Sequence, residues 1–220
     1  MIAAVEHYLF DKNIGGYRLN TNFKEVKLNL GRCFGFAYGH KENGAIFSHM
    51  VVMYAAALYR RGFVFDGYRV IRSLYGLSTD FEKARIYPGI PEYFNDKGRG
   101  MYHYLTGSAS WLMLVMLNDV YGVRGSFGDL VIQPKLMKEQ FDESFCASVK
   151  TIFAGKELNI IYRNQGQFDY GEYSIGSISI DHCPVGFEYT TREAVIDRNS
   201  IMQLSEEAMH NIEVNLVKKL

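Results

Sequence analysis

Two short stretches of this chain concentrate residue types that bind polar ligands. They are Lys41-Glu42-Asn43-Gly44-Ala45-Ile46-Phe47-Ser48-His49 and Gly98-Arg99-Gly100-Met101-Tyr102-His103-Tyr104-Leu105-Thr106-Gly107-Ser108-Ala109-Ser110-Trp111. Each is rich in glycine and polar groups, and each opens directly into an apolar segment. Such a join brings backbone N–H groups and charged side chains to the mouth of a buried helix. A carboxylate such as Glu42 with an ammonium such as Lys41 beside it is a pair able to make strong charge-assisted hydrogen bonds. Thr106 is a good N-cap, and Gly107 lets a ligand approach the backbone closely. The helix start they mark presents unpaired N–H groups and a partial positive charge, a ready site for an anion. A plainer reading stands beside each. Lys41 and Glu42 also fit a solvated pair at a helix start, His49 a core histidine held by a carbonyl, and Thr106 an ordinary cap.

The elements that position these residues are legible from spacing and punctuation. Ile2 to Phe10 reads as a short helix, and Asp11 to Gly16 as a turn. Tyr17 to Leu30 alternates weakly. Ala45 to Arg61 is expected to be a helix stopped by Gly62. Val64 to Tyr75 is a second, with Val64, Tyr68, Ile71 and Tyr75 spaced by three and four. Residues 77 to 100 form a long connection of the kind that is usually functional or disordered. Asp80, Glu92 and Asp96 lie in it, and nothing in their spacing marks them as more than loop charges. Thr106 to Tyr121 is a third helix, apolar nearly all round and expected to be buried on most sides. After Gly125 the pattern changes to short strands: Leu130 to Ile132, Ser144 to Phe153, Leu158 to Tyr162, Glu172 to Ile180 and Ile212 to Leu216. Turns are expected at Ala154-Gly155-Lys156, Asn164 to Gly166 and Cys183-Pro184. The expected organisation is α+β, with helices in residues 1–125 and antiparallel strands in 126–220.

Composition narrows the function class. The 220 residues carry 24 basic and 24 acidic side chains, so net charge is zero. That argues against nucleic acid as partner, which calls for a basic excess. Aromatic residues make up 15%. They fit a carbohydrate protein, whose sugars pack on aromatic faces, and equally a well-filled core. Cys33, Cys146 and Cys183 are odd in number and widely spaced, which suits neither a metal cluster nor a disulfide framework. The first ten residues lack a basic region followed by an apolar core. The most apolar run, Ala109 to Leu117, is too short to span a bilayer. A cytoplasmic protein without metal or membrane is the expectation.

Together the two stretches resemble the phosphate and glucosyl sites of the inverting β-glucoside phosphorylases, family 94 of the glycoside hydrolases. The resemblance implies that Lys41 and Glu42 hold hydroxyls of the glucosyl unit. It implies that His49 donates an N–H to phosphate, and that Thr106 and Gly107 bind phosphate through hydroxyl and backbone, with Ser108 a further donor. No cofactor is implied; inorganic phosphate is the co-substrate. The implied fold is the last helices of an (α/α)6 barrel in residues 1–125, followed by an antiparallel β-sandwich in 126–220. In that family the general-acid aspartate and a phosphate-binding arginine lie in upstream motifs that have no counterpart in these residues. No catalytic acid is therefore assigned within the chain.

The run Arg85-Ile86-Tyr87-Pro88-Gly89-Ile90-Pro91-Glu92-Tyr93-Phe94 looks most like the cellodextrin and oligoglucan members. Between Gly31 and His40 there is no carboxylate, but Arg32, Phe34, Phe36, Tyr38 and His40, which suits a longer glucan acceptor. The implied parent reaction is cellodextrin plus phosphate giving α-glucose 1-phosphate and a shortened glucan. The chain would be a fragment or split-gene product of such an enzyme, with a homodimer or the missing N-terminal part as partner. Two other readings stay open: a non-catalytic oligosaccharide-binding module, and the phosphorylase-like end of a cyclic β-1,2-glucan synthase. Apolar helix faces with too few partners within 125 residues favour association of the isolated chain.

Overall fold

The computed structural model describes residues 1–86, 89–103, 106–190 and 193–219. Tyr87 and Tyr104, and the side chain of Phe34, lie outside the described residues. The chain divides into two compact units, Met1–Val115 and Met116–Leu220.

The first unit is built on helices α1 (Ile2–Tyr8), α2 (Ser48–Arg60), α3 (Val64–Thr79), α4 (Phe81–Ala84) and α5 (Ser108–Val115). The expected second and third helices are α2 and α3, and Arg61-Gly62 joins them. Val51, Val52, Ala55, Ala56, Leu58 and Tyr59 bury one side of α2. Val64, Gly67, Val70, Leu74 and Leu77 bury the facing side of α3, the three- and four-residue spacing that an apolar stripe requires. Gly67 sits where a Cβ would come within 2.6 Å of the Tyr59 ring, so the helices meet closely there.

The long connection is not structureless. Strands β1 (Phe10–Asp11) and β2 (Gly16–Tyr17) form a ribbon. Strands β3 (Ile46–Phe47), β4 (Tyr93–Phe94) and β5 (Gly100–Met101) form a three-stranded antiparallel sheet. This sheet folds the connection back onto the residues just before α2.

The apolar segment from Thr106 is helical for less of its length than expected. It is α-helical only through Val115 and passes into a π-helical turn, Met116–Val120. It is also less covered than its composition implies: Met113 is 73% and Leu114 56% exposed. Five apolar residues in a row cannot all face the one neighbour, α2, against which this helix packs.

The second unit is β-rich. Strands β6 (Val123–Ser126), β7 (Asp129–Ile132), β12 (Glu188–Thr190) and β13 (Glu193–Ile196) form a four-stranded antiparallel sheet ordered β12-β13-β7-β6. A five-stranded sheet is ordered β11-β10-β14-β9-β8, from β8 (Cys146–Phe153), β9 (Lys156–Arg163), β10 (Tyr173–Ile180), β11 (Cys183–Pro184) and β14 (Met209–Lys218). Helix α6 (Arg198–Met202) caps the connection to β14, with Asp197 accepting the Asn199 N–H. The architecture is thus mixed α+β with sheets that are antiparallel except at one pair: β14 runs parallel to β9. Cys183-Pro184 is a short edge strand rather than a turn; the turn before it is Asp181-His182.

Alternation places Leu158, Ile160 and Tyr162 of β9 and Ile212, Val214 and Leu216 of β14 on one buried face. Two tyrosines satisfy polar groups there. Tyr173 Oη accepts the Leu136 N–H at 2.8 Å and lies 3.1 Å from the Pro134 carbonyl. Tyr162 Oη donates to the Tyr121 carbonyl at 2.5 Å, and burial pushes its pKa well up.

Asp181 and His182 both have positive φ without being glycine. A side-chain bridge holds that turn against β14. His210 Nδ1 lies 2.6 Å from Asp181 Oδ2, and His210 Nε2 lies 3.0 Å from the Ser205 carbonyl. The hydrogen bond that His210 donates to Asp181 raises the His210 pKa, and the same bond lowers that of Asp181. The stabilisation from His210 is complete below about pH 6.5 and fades as pH rises through its raised folded value. That from Asp181 is present above about pH 4 and fades as pH falls through its lowered value. The thermal midpoint of the wild type is therefore expected to drop between about pH 6 and about pH 9 by more than that of His210→Gln. Equal slopes in the two proteins would exclude the bridge as a pH-dependent contact.

Candidate functional site

The first motif is a turn held from several sides. The Gly39 N–H donates to the Asn43 carbonyl and the Asn43 N–H to the His40 carbonyl. Asn43 is buried and its amide donates to the Phe36 carbonyl. Arg18, paired with Asp11, donates to the Gly44 carbonyl at 2.6 Å. Asn20 Oδ1 accepts the Gly44 N–H. Gly44 has φ +73°, and a Cβ there would sit 2.1 Å from the Tyr38 ring. Only glycine satisfies both conditions.

This turn presents Lys41 and Glu42 differently from a simple pair. Lys41 itself has φ +49°, a conformation that non-glycine residues adopt at a cost and that clusters at ligand sites. Its Nζ reaches across 51 residues to Glu92 Oε2 at 2.5 Å. It also lies 3.7 Å from the Tyr102 ring centroid and 5.5 Å from that of Tyr93. Burial works against its charge, but the hydrogen bond to Glu92 and that carboxylate's field hold its pKa above the ordinary lysine value. Glu42 turns one oxygen to Arg32 Nε at 2.9 Å. Its other oxygen, Oε2, is buried with no hydrogen-bond partner among the described residues. An ionised oxygen in that position is costly unless a donor completes it.

Glu92 is held where it is by backbone. Its N–H donates to the Met101 and Tyr102 carbonyls, and its carbonyl accepts the Ser48 N–H at the start of α2. The β3-β4-β5 sheet lines up Phe47, Tyr93 and Tyr102 beside it. The Phe47 and Tyr93 rings are stacked at 6.3 Å, and Tyr93 and Tyr102 at 6.2 Å.

The second motif meets the first at the N-terminal ends of α2 and α5. His49, in the first turn of α2, has its ring 4.8 Å from that of Trp111, edge to face. A Cβ built on Gly107 would be 4.0 Å from His49 Cε1, so the glycine backbone lies beside the imidazole. No hydrogen bond to either ring nitrogen of His49 is found among the described residues. Thr106 Oγ1 accepts the Ser108 N–H at 3.1 Å and lies 2.7 Å from Ser108 Oγ. Ser108 Oγ in turn lies 3.4 Å from the Pro91 carbonyl. Thr106 is thus a helix cap, and its hydroxyl sits beside the open helix end. Pro91 and Glu92 connect the two groups, one touching Ser108 and the other Ser48 and Lys41.

The structure therefore brings together all five residues singled out in the sequence, Lys41 and Glu42 in one cluster and His49, Thr106 and Gly107 in the other. It adds Glu92, Tyr93 and Tyr102. Glu92 carried no local signal, because its partner is 51 residues away.

Residues 1–122 match the glycosyl hydrolase 94 superfamily catalytic domain, more than half of the chain. The chain belongs to that superfamily. A cellobionic acid phosphorylase of Neurospora crassa is 25% identical over 126 residues, covering 52% of this chain. The chain spans 16% of that relative's length. The matched residues contain both motif clusters. No helix among the described residues is long and apolar enough to cross a membrane.

Proposed function

We propose that this chain supplies the phosphate and glucosyl sites of an inverting β-glucan phosphorylase, converting cellodextrin and phosphate to α-glucose 1-phosphate and a shortened glucan. The observation that carries the reading is the approach of His49 to Gly107 at the N-terminal ends of α2 and α5. The phosphorylase name of the Neurospora relative supports the reaction class. In this reading α1 to α5 are the last helices of an (α/α)6 barrel spanning residues 1–125, and residues 126–220 are its C-terminal β-sandwich.

A glycosidase of this stereochemistry needs an acid for the leaving oxygen and a base for water. Phosphate is already anionic near neutral pH, so the base is dispensable. A phosphate oxygen attacks the anomeric carbon from one face. The glycosidic oxygen leaves from the other face and takes a proton from a carboxylic acid. We place that acid on a polypeptide segment outside these residues, since none of the carboxylates here faces the His49–Gly107 space in a way its contacts reveal. His49 donates an N–H to phosphate. The α5 end adds backbone N–H groups and a partial positive charge. Thr106 adds its hydroxyl. Glu42 accepts from glucosyl hydroxyls, and the Lys41–Glu92 pair fixes the ammonium that donates to them.

The test is glucose 1-phosphate formation from cellodextrin and phosphate, by this chain alone and mixed with the polypeptide encoded immediately upstream. Activity only in the mixture is the expected result. Activity of the chain alone would place the acid within residues 1–220. Inactivity in both, with saturable glucan binding indifferent to phosphate, would replace the reading with a binding module.

A further inference from the structure

In the second unit, residues 203–208 link α6 to β14 without regular structure. Gln203, Ser205, Glu206, Glu207 and Ala208 are all exposed. Two buried basic side chains nevertheless hold this strap. Lys156, at the start of β9, is 3% exposed, and its Nζ donates to Glu206 Oε1 at 3.0 Å. His210, at the start of β14, is 7% exposed and points one ring nitrogen at Asp181 Oδ2 and the other at the Ser205 carbonyl.

Both neighbours of that imidazole are pure acceptors, one a carboxylate and the other a carbonyl. The ring donates to both when it carries two protons. Once neutral it keeps one N–H, and the lone pair of its bare nitrogen then opposes an oxygen. The two acceptors decide which contact survives. Asp181 is ionised and accepts the more strongly. It is also fixed, because its Oδ1 accepts the Asn211 N–H at 2.9 Å. Ser205 lies on the exposed strap, so the proton lost is the one on Nε2.

We propose that residues 203–208 form a pH-operated strap, closed over the start of the β9–β14 pair while His210 is an imidazolium and released when its Nε2 proton leaves. The charged groups around His210 among the described residues are Asp181, with His182 beside it in the turn after β10, Lys156 from β9 and Glu206 from the strap itself. The Asp181 bond holds the His210 pKa above its ordinary value, against burial and the Lys156 charge. Release therefore falls on the alkaline side of about pH 6.5. It draws Glu206 away from Lys156 and opens that buried ammonium to water. The movement is local, leaving the β9–β14 ladder paired, and it is independent of the phosphorylase reading.

The test is cleavage of the full chain after Glu206 and Glu207 by a glutamyl endopeptidase, between about pH 6 and about pH 9. At each pH the rate is divided by that of a free peptide spanning the strap. The wild-type ratio is expected to rise about tenfold, the loss of one hydrogen bond to a charged group. Glu157 and Glu213, inside β9 and β14, should stay uncut. His210→Gln should begin at the high ratio and show no step. The nitrogen-15 shifts of His210 in the wild type give a readout that needs no variant: Nε2 should lose its proton over the same range while Nδ1 keeps its own. A flat wild-type ratio, an unaltered step in His210→Gln, or loss of the Nδ1 proton first would each overturn the strap. Cleavage at Glu157 rising together with that at Glu206 would overturn it too, since the whole sheet would then be loosening.

Discussion

Gly122→Ala is expected to prevent the second unit from folding. Gly122 has φ +68°, and a Cβ there would fall 1.8 Å from the Gln133 carbonyl oxygen and 2.1 Å from its carbon. Both are backbone atoms, so no side-chain rotation relieves the clash. The contact also lies on the first rung of a sheet. The Gln133 N–H donates to the Gly122 carbonyl at 2.8 Å, and the neighbouring pair Val123 and Ile132 begins the β6–β7 ladder. Moving Gln133 away would open that ladder from its end. Ile132 is completely buried, so opening it also exposes core. A cost above about 4 kcal/mol is expected, in the range reserved for steric disruption of a core element. It is comparable with the whole stability of many domains. Near-ultraviolet circular dichroism during heating checks it, because the tyrosines of this unit report their packing. A cooperative transition within a few degrees of wild type would refute the predicted clash.

On the proposed function, His49→Ala in the chain reconstituted with its upstream part is expected to raise the KM for phosphate by about ten- to a hundredfold, the loss of one hydrogen bond to an anion. The apparent affinity for cellodextrin should change little, because the proposal assigns the sugar to Lys41 and Glu42 rather than to His49. His49 also packs edge to face on Trp111, so its removal carries a packing cost as well as lost binding. Gly107→Ala separates the two. Its new methyl group would meet His49 Cε1 at 4.0 Å, an ordinary contact. The variant should fold as wild type while filling the space proposed for phosphate. Steady-state kinetics with phosphate as the varied substrate measures both. If neither variant moves the phosphate KM, the joined ends of α2 and α5 are not the phosphate cradle.

The helices and the two motifs were readable because their signals are local. Three- and four-residue spacing marked α2 and α3, and Gly62 marked the break between them. The Asn43-Gly44 pair announced the turn that presents Lys41 and Glu42, and Thr106-Gly107 announced the start of α5. The Ala154-Gly155 turn separated β8 from β9. In each case the deciding residues lie within a few positions of one another, so propensity and pattern suffice.

Other features depended on partners far along the chain. The parallel pairing of β9 with β14 joins segments some fifty residues apart, and alternation within either strand is the same for both directions of pairing. Strands β3, β4 and β5 have two residues each, too short for a periodic signal. The exposure of Met113 and Leu114 depends on how many neighbours α5 finds, which composition cannot state. Glu92 was one loop carboxylate among several until β4 carried it to Lys41.

The sequence alone thus settles the superfamily and the α+β class, and it marks the two motifs proposed to bind ligand, since these rest on local residue type and spacing. The tertiary structure decides which charges meet. Lys41 takes Glu92 rather than Glu42, Glu42 keeps one buried oxygen without a hydrogen-bond partner among the described residues, and His49 comes to lie beside Gly107, because chain closure and burial choose among many local possibilities.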